Sequence, residues 1–256
     1  MTVTAPGDVG LGRYVYCIAA ADLVLPMDLR GVGDQAVGTL PHGELAAVIS
    51  LVDSDAAHAG RSDLLAHGRV LDTIAQQGPV IPVRFGSVLR CREAVAGDLL
   101  VPGHERFVTV LQDLSGRAQF TVRARYEERQ VLTEIVAENP GIAQLRRMTR
   151  DRPGESSYGE RVRLGELVAA ALETKSSTDS EAMLAELEQH VVAINIRESA
   201  GIDRLLDVAV LVDDEHRAEF EQAVEGLAAA FAGRARLKLI GPTAPYDFVD
   251  ADEPWG

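Results

Sequence analysis

From Arg13 to Ala20 the chain reads RYVYCIAA, an unbroken run of aromatic, β-branched and small residues that predicts a strand. Apolar runs near Gln35–Leu40 and Leu45–Val52 flank the segment PHGE, where Pro41 and Gly43 predict the turn of a hairpin. The period then changes. In SDLLAHGRVLDTIAQQG, Leu64, Leu65, Val70, Leu71 and Ile74 recur at roughly helical spacing, with Ser62 as N-cap and Gly78 as stop. PVIPVRFGSVL is apolar again but is broken by Pro82 and Gly86, which places it at the edge of a sheet. Two short helices, REAVAGDLL and HERFVTVLQDL, follow on either side of VPG.

Strict alternation begins at Ala118–Glu128, with Phe120, Val122, Ala124 and Tyr126 on one face and Arg123 and Arg125 on the other, as in a half-buried strand. A second α+β unit starts here, so the domain boundary falls close to Ser115-Gly116 and divides the chain into residues 1–116 and 117–256. RQVLTEIVAENPG predicts a helix closed by Asn139-Pro140-Gly141, and QLRRMTRDRPG a solvated surface turn. From Gly159 to about Arg197, apolar positions at Val162, Leu167, Ala171, Leu184, Leu187, Val191 and Ile194 predict one amphipathic helix, or two with a break at TKSSTDS. LLDVAVLVD reads as a buried strand. EHRAEFEQAVEGLAAAFAG reads as a helix with Phe220, Val224, Leu227 and Phe231 on one stripe, and RARLKLIG as the last strand, stopped by Gly241-Pro242. This succession predicts an α+β fold in which an N-terminal α+β domain precedes a modified ferredoxin-like domain with a long helical region and a C-terminal tail.

Composition narrows the function. Of 256 residues almost half are hydrophobic and a quarter charged, the profile of a soluble globular chain, and the formal net charge is −14. That charge argues against phosphate-backbone binding and against docking on anionic lipid, both of which draw on Lys and Arg clusters. No apolar segment is long enough to span a bilayer, and the first residues lack the charged start and apolar core of a signal peptide, so the cytoplasm is the expected compartment. The two cysteines, Cys17 and Cys91, have no CxxC spacing and read as reduced, buried thiols.

A catalytic set does not assemble. The six histidines, His42, His58, His67, His104, His190 and His216, lack HExxH or comparable spacing and fall largely in predicted turns or on polar faces, so no metal site is expected. Asp53 and Asp55 follow a strand, where a carboxylate pair can hold a divalent cation, but such a pair is common by chance and the residues read as a solvated loop with a helix cap. GESSYG around Ser157 lacks the spacing of a nucleophile elbow, and Gly31 and Gly33 in RGVGDQ lack the third glycine and lysine of a phosphate loop. Neither an enzyme nor a cofactor site is expected. Arg84 stands out as a cation inside an apolar run, where a buried guanidinium needs a carboxylate or several carbonyls; it reads either as a structural ion pair or as a partner- or ligand-binding arginine.

Four segments, YVYCIAA (Tyr14–Ala20), VIPVRFGSVL (Val80–Leu89), VAVLVD (Val208–Asp213) and LIGPTAPYDFV (Leu239–Val249), occur in order over nearly the whole chain and resemble the gas vesicle protein F/L family. The specific pieces are Pro82, Arg84, Phe85 and Gly86 of PVRFG, and Gly241, Pro242, Pro245, Tyr246 and Phe248 of the tail. The family's tail usually runs Gly-Pro-Trp-Pro-Pro-Tyr, so Thr243 and Ala244 stand where Trp and Pro would. The resemblance implies an accessory protein of gas vesicle formation, a two-domain architecture of the kind read above, and binding to the small hydrophobic shell subunit, and in turn to other accessory proteins, either as an assembly factor or as a minor vesicle component. It implies no cofactor. A competing expectation is a ferredoxin-like regulatory module that binds a small molecule, with Arg84 and Arg123 holding an anion.

The tail poses its own question. Pro242 and Pro245 keep the backbone extended, and Tyr246 and Phe248 are anchors able to bury about 150–250 Å² each. Such a segment either folds back as a clasp onto the protein's own helices or the domain junction, or is offered to a partner.

Overall fold

Ten residues, Leu11–Ala20, form β1, and the eight between its ends are buried, which requires cover on both faces. On one edge β1 pairs antiparallel with β3 (Leu45–Asp53), which in turn pairs with β2 (Val37–His42). Its other edge receives two short strands, β4 (Ile81–Pro82) and β5 (Val88–Leu89). The β1–β3 register shifts between Val15 and Cys17, a bulge at Tyr16. The bulge lets Tyr14, Tyr16, Cys17 and Ala19 all pack with Val48, Val52 and the residues Val70, Leu71 and Ile74 of α1 (Arg61–Ala75). Val15 and Ile18 join the opposite face, with Val95, Leu99 and Leu100 of a π-helical turn and Phe107 and Leu111 of α3 (His104–Asp113); α2 (Arg92–Ala94) leads into that turn.

The computed structural model describes residues 11–53, 60–151, 157–197, 201 and 203–249. Asp55 and His58 lie outside them. Within this range the chain forms two units, one running up to Phe120 and including the tail from Gly241, the other Thr121–Ile240.

Details of the first unit depart from the sequence reading. Pro41 lies in β2 opposite Ala46, so the hairpin turns at Gly43-Glu44 alone. Gly60, not Ser62, is the N-cap of α1, and the Asp63 carboxylate accepts the Gly60 N–H at 3.3 Å. Leu64 and Leu65 face solvent; the inward stripe is Ala66, His67, Val70, Leu71 and Ile74.

A second sheet, which lies mostly in the second unit, is formed by β6 (Arg117–Tyr126), β7 (Ala193–Ile196), β8 (Arg204–Asp213) and β9 (Ala235–Thr243) in the order β7-β8-β6-β9. The alternation read in β6 holds, with Phe120, Val122, Ala124 and Tyr126 buried and Arg123 and Arg125 exposed. α4 (Glu128–Glu138) ends at Asn139, whose side-chain amide donates to the Ile135 carbonyl at 2.8 Å. The described part of the stretch read as a surface turn, residues 144–151, lies instead in α5 (Pro140–Asp151), entered through Pro140 at a position where no N–H is needed; Arg146, Arg147 and Arg150 are solvated, as expected.

α6 (Tyr158–Leu187) is one helix of 30 residues without the break at TKSSTDS. The hydroxyls of that stretch fold back onto the helix, Thr174 Oγ1 donating to the Ala170 carbonyl and Thr178 Oγ1 to that of Thr174, each at 3.0 Å. Its Asp179 points inward, bonded to Tyr126 Oη and Arg234, and Arg234 also meets Glu134 at 3.1 Å. Val162 and Leu167, read as inward, are exposed, and Leu172, Met183 and Leu187 carry the buried stripe. Helix does not continue to Arg197, because Ile194 sits in β7 opposite Val210. α7 (Arg217–Ala230) buries Phe220, Val224 and Leu227 as predicted, with Phe231 just beyond its end. β9 runs on through the cis Gly241–Pro242 bond to Thr243, so that pair does not stop the strand.

Candidate functional site

Both specific sequence motifs of the first unit lead to one residue that the sequence reading had placed among polar positions, His67. It is 1% exposed. Its Nδ1 lies 3.0 Å from Tyr14 Oη, and its Nε2 lies 2.9 Å from Tyr246 Oη. In a neutral imidazole one nitrogen donates and the other accepts, and a phenol can meet either. Tyr14 Oη also accepts the Gly86 N–H at 3.0 Å. Phe85 stands edge-on to the His67 ring at 5.5 Å between centroids and to Tyr14 at 6.5 Å. PVRFG and the tail thus converge on a histidine of α1 through a tyrosine of β1.

The individual positions follow. Pro82 sits in β4 opposite Cys17. Arg84 is exposed, so the burial inferred from its apolar neighbours is not there; the run turns outward at this point, with the Arg84 carbonyl accepting Ser87 N at 3.2 Å and Ser87 Oγ at 2.8 Å. Gly86 takes φ +89°, a conformation that a side chain would strain. Gly241 takes φ +144°, and a Cβ there would fall 2.6 Å from Phe120 Cδ1 and 3.0 Å from the Gln119 carbonyl. Pro242 is half-buried, Pro245 is buried, and half-buried Phe248 donates its N–H to the Pro245 carbonyl at 3.2 Å.

Residues outside both motifs complete the docking of the tail. Ala244 is 1% exposed within the α1-side core, and its N–H meets Asp72 Oδ1 at 3.3 Å, a bond that a proline in this place has no hydrogen to make. Buried Gln119 grips Asp247 twice, donating from Nε2 to Oδ2 at 2.8 Å and accepting the Asp247 N–H at 3.1 Å. Val249 packs against the opposite core. A second polar chain links Tyr16 to the glycine pair: Val32 N–H donates to Tyr16 Oη at 2.8 Å, Tyr16 Oη to Ser50 Oγ at 3.0 Å, and a Cβ on Gly31 would overlap the phenol.

Burial sets the electrostatics of this cluster. Desolvation pushes the Tyr14 phenol up to about 12 and raises those of Tyr16 and Tyr246 and the Cys17 thiol, while it pulls His67 down to about 4. At neutral pH every one of these groups is uncharged. Such a set suits holding backbone segments together; it offers neither an activated nucleophile nor a base poised near 7. Among the described residues no group of three or more His, Cys, Asp or Glu is placed to hold a metal ion, and no helix is long and apolar enough to cross a membrane.

The second unit carries a different feature. Between α4 and α6 lie two adjoining cavities that share Leu132 and Val168. One, of about 450 Å³, is lined by Val131, Gly165, Ala169 and Leu172 with Tyr126, Glu128 and Asp203. The other, of about 460 Å³, is lined by Thr133, Val136, Ile142 and Leu164 with Arg129 and Arg146. Arg123, a candidate anion ligand on the competing expectation, is taken up by Asp207 at 3.1 Å.

Comparison with known proteins gives a consistent result. Gas vesicle protein F of Streptomyces sp. (strain CB03234) is 30% identical over 243 residues, covering 94% of this chain and 100% of the relative. Gas vesicle protein L of the same organism is 30% identical over 260 residues, with 94% of each covered. The crystal structure of the gas vesicle protein GvpF from Anabaena sp. PCC7120 superposes with a TM-score of 0.79 at 24% identity, over 93% of this chain and 97% of that one, which establishes a shared fold. The family model described as "Gas vesicle synthesis protein GvpL/GvpF" matches residues 12–250, and the chain therefore belongs to the GvpL/GvpF family of gas vesicle synthesis proteins.

Proposed function

We propose that this chain is a non-catalytic accessory factor of gas vesicle formation that binds the small, hydrophobic shell subunit in the cytoplasm and keeps it from aggregating until it is incorporated. The observation that carries this reading is the pair of apolar cavities along α6, in a chain of formal net charge −14. An apolar groove gives a hydrophobic client a surface other than itself to bury, and the excess negative charge keeps the complex soluble. Within the second unit, the strand order β7-β8-β6-β9 sets the first and third strands of the unit side by side at the centre with the second and fourth outside. That order supports a ferredoxin-like reading in which α4, α5 and α6 replace the first helix.

Co-expression with a gas vesicle shell subunit tests the proposal. The subunit should stay in the soluble fraction and co-purify with this chain. If it pellets as completely as when expressed alone, shell binding is wrong for this protein.

A further inference from the structure

We infer that the client enters the α4–α6 groove as an amphipathic helix whose apolar stripe is flanked by carboxylates, and that the exposed arginines of α4 and α5 receive those carboxylates. The inference rests on the shell-binding reading and adds to it which element of the client is bound and by which residues.

The first ground is charge. α5 carries Arg146, Arg147 and Arg150 and one carboxylate, Asp151 at its end, in a chain whose overall charge is −14. Five arginines elsewhere in this unit are matched to acids: Arg123 to Asp207, Arg125 to Asp203, Arg217 to Glu221, Arg234 to Glu134, and Arg236 to Glu127. Arg129, Arg146 and Arg147 are exposed and pair with no carboxylate among the described residues. Two of them, Arg129 and Arg146, line an apolar cavity directly. A guanidinium kept unpaired beside apolar surface favours a partner that brings a carboxylate together with apolar side chains, because the fork geometry rewards a bidentate acid as the surrounding water is displaced. A nucleic-acid backbone offers charge without the apolar stripe.

The second ground is spacing. Leu164, Val168 and Leu172 recur at i, i+4 and i+8 on α6, so the apolar floor runs for ~12 Å along the helix. A docked helix presenting anchors at i, i+3, i+4 and i+7 covers nearly the same length. Gly165 and Ala169, between these positions, leave room for close approach.

The test compares the full chain with Val168→Asp and with Arg129→Glu/Arg146→Glu, each co-expressed with the shell subunit and each checked for native circular dichroism and melting temperature. Val168→Asp should abolish soluble retention. Arg129→Glu/Arg146→Glu alters only exposed positions and should lower retention at least tenfold at low salt, while high salt should weaken the wild type towards that level. A folded Arg129→Glu/Arg146→Glu variant that retains the subunit as the wild type does overturns the inference and leaves shell binding standing. Capture of a duplex oligonucleotide by the same arginines, with no loss of subunit binding on their reversal, overturns it too. Failure of the wild type itself to retain the subunit overturns the shell-binding reading, and this inference with it.

Discussion

A histidine buried among aromatic rings destabilises a fold unless both ring nitrogens are met, and His67 has both, from Tyr14 and Tyr246. Tyr246→Phe keeps the ring but removes one of the two partners, and should lower stability by about 1 kcal/mol in urea titration. An unchanged midpoint would mean that the hydroxyl contributes nothing. Acid should find the same residue. Its folded pKa of about 4 lies below the ordinary 6.5, so the unfolded chain takes up the proton first. The stability supplied by the neutral ring is complete above about pH 6.5 and is lost as pH falls towards 4, up to about 3 kcal/mol. Asp72 works in the opposite sense, since burial raises its carboxyl pKa and the folded state then gains that proton first. Melting temperature followed from pH 7 to 4 should fall less steeply in His67→Gln than in the wild type; parallel curves would show that another group governs the acid limb.

At the scale of elements, the tail behaves as a clasp. Ala244, Pro245 and Val249 pack inward, and bonds to His67, Asp72 and Gln119 hold the turn between them. Ending the chain after Gly241 should therefore lower the melting temperature by about 10 °C, whereas a segment held ready for a partner would leave it nearly unchanged. Strands β1, β6 and β8 and helix α7 were legible in the sequence because long periodic or unbroken apolar runs leave one reading. α5 was hidden because Asn139-Pro140-Gly141 is as good a helix stop as a helix start, and an arginine-rich stretch looks the same in a turn. The continuity of α6 was masked by TKSSTDS, whose polar residues bond back to the helix or, like Asp179, pair inside it. His67 escaped because Leu64 and Leu65 drew the apolar face of α1 away from the stripe at 67, 70, 71 and 74. The α4–α6 groove had no sequence signal beyond the length of its helix, since a surface for a client needs only half-buried apolar residues on several elements at once.

At the scale of the molecule, we propose that an acidic chain holds its client in an apolar groove that carries Arg129 and Arg146 in one cavity and Glu128 and Asp203 in the other. The most direct measurement of that claim is light scattering from shell subunit diluted out of denaturant, with and without purified chain. Scattering should be suppressed as the chain approaches one equivalent of subunit, and Val168→Asp should suppress it far less. If the subunit scatters equally with the chain present at every ratio, this protein does not hold the shell subunit in solution.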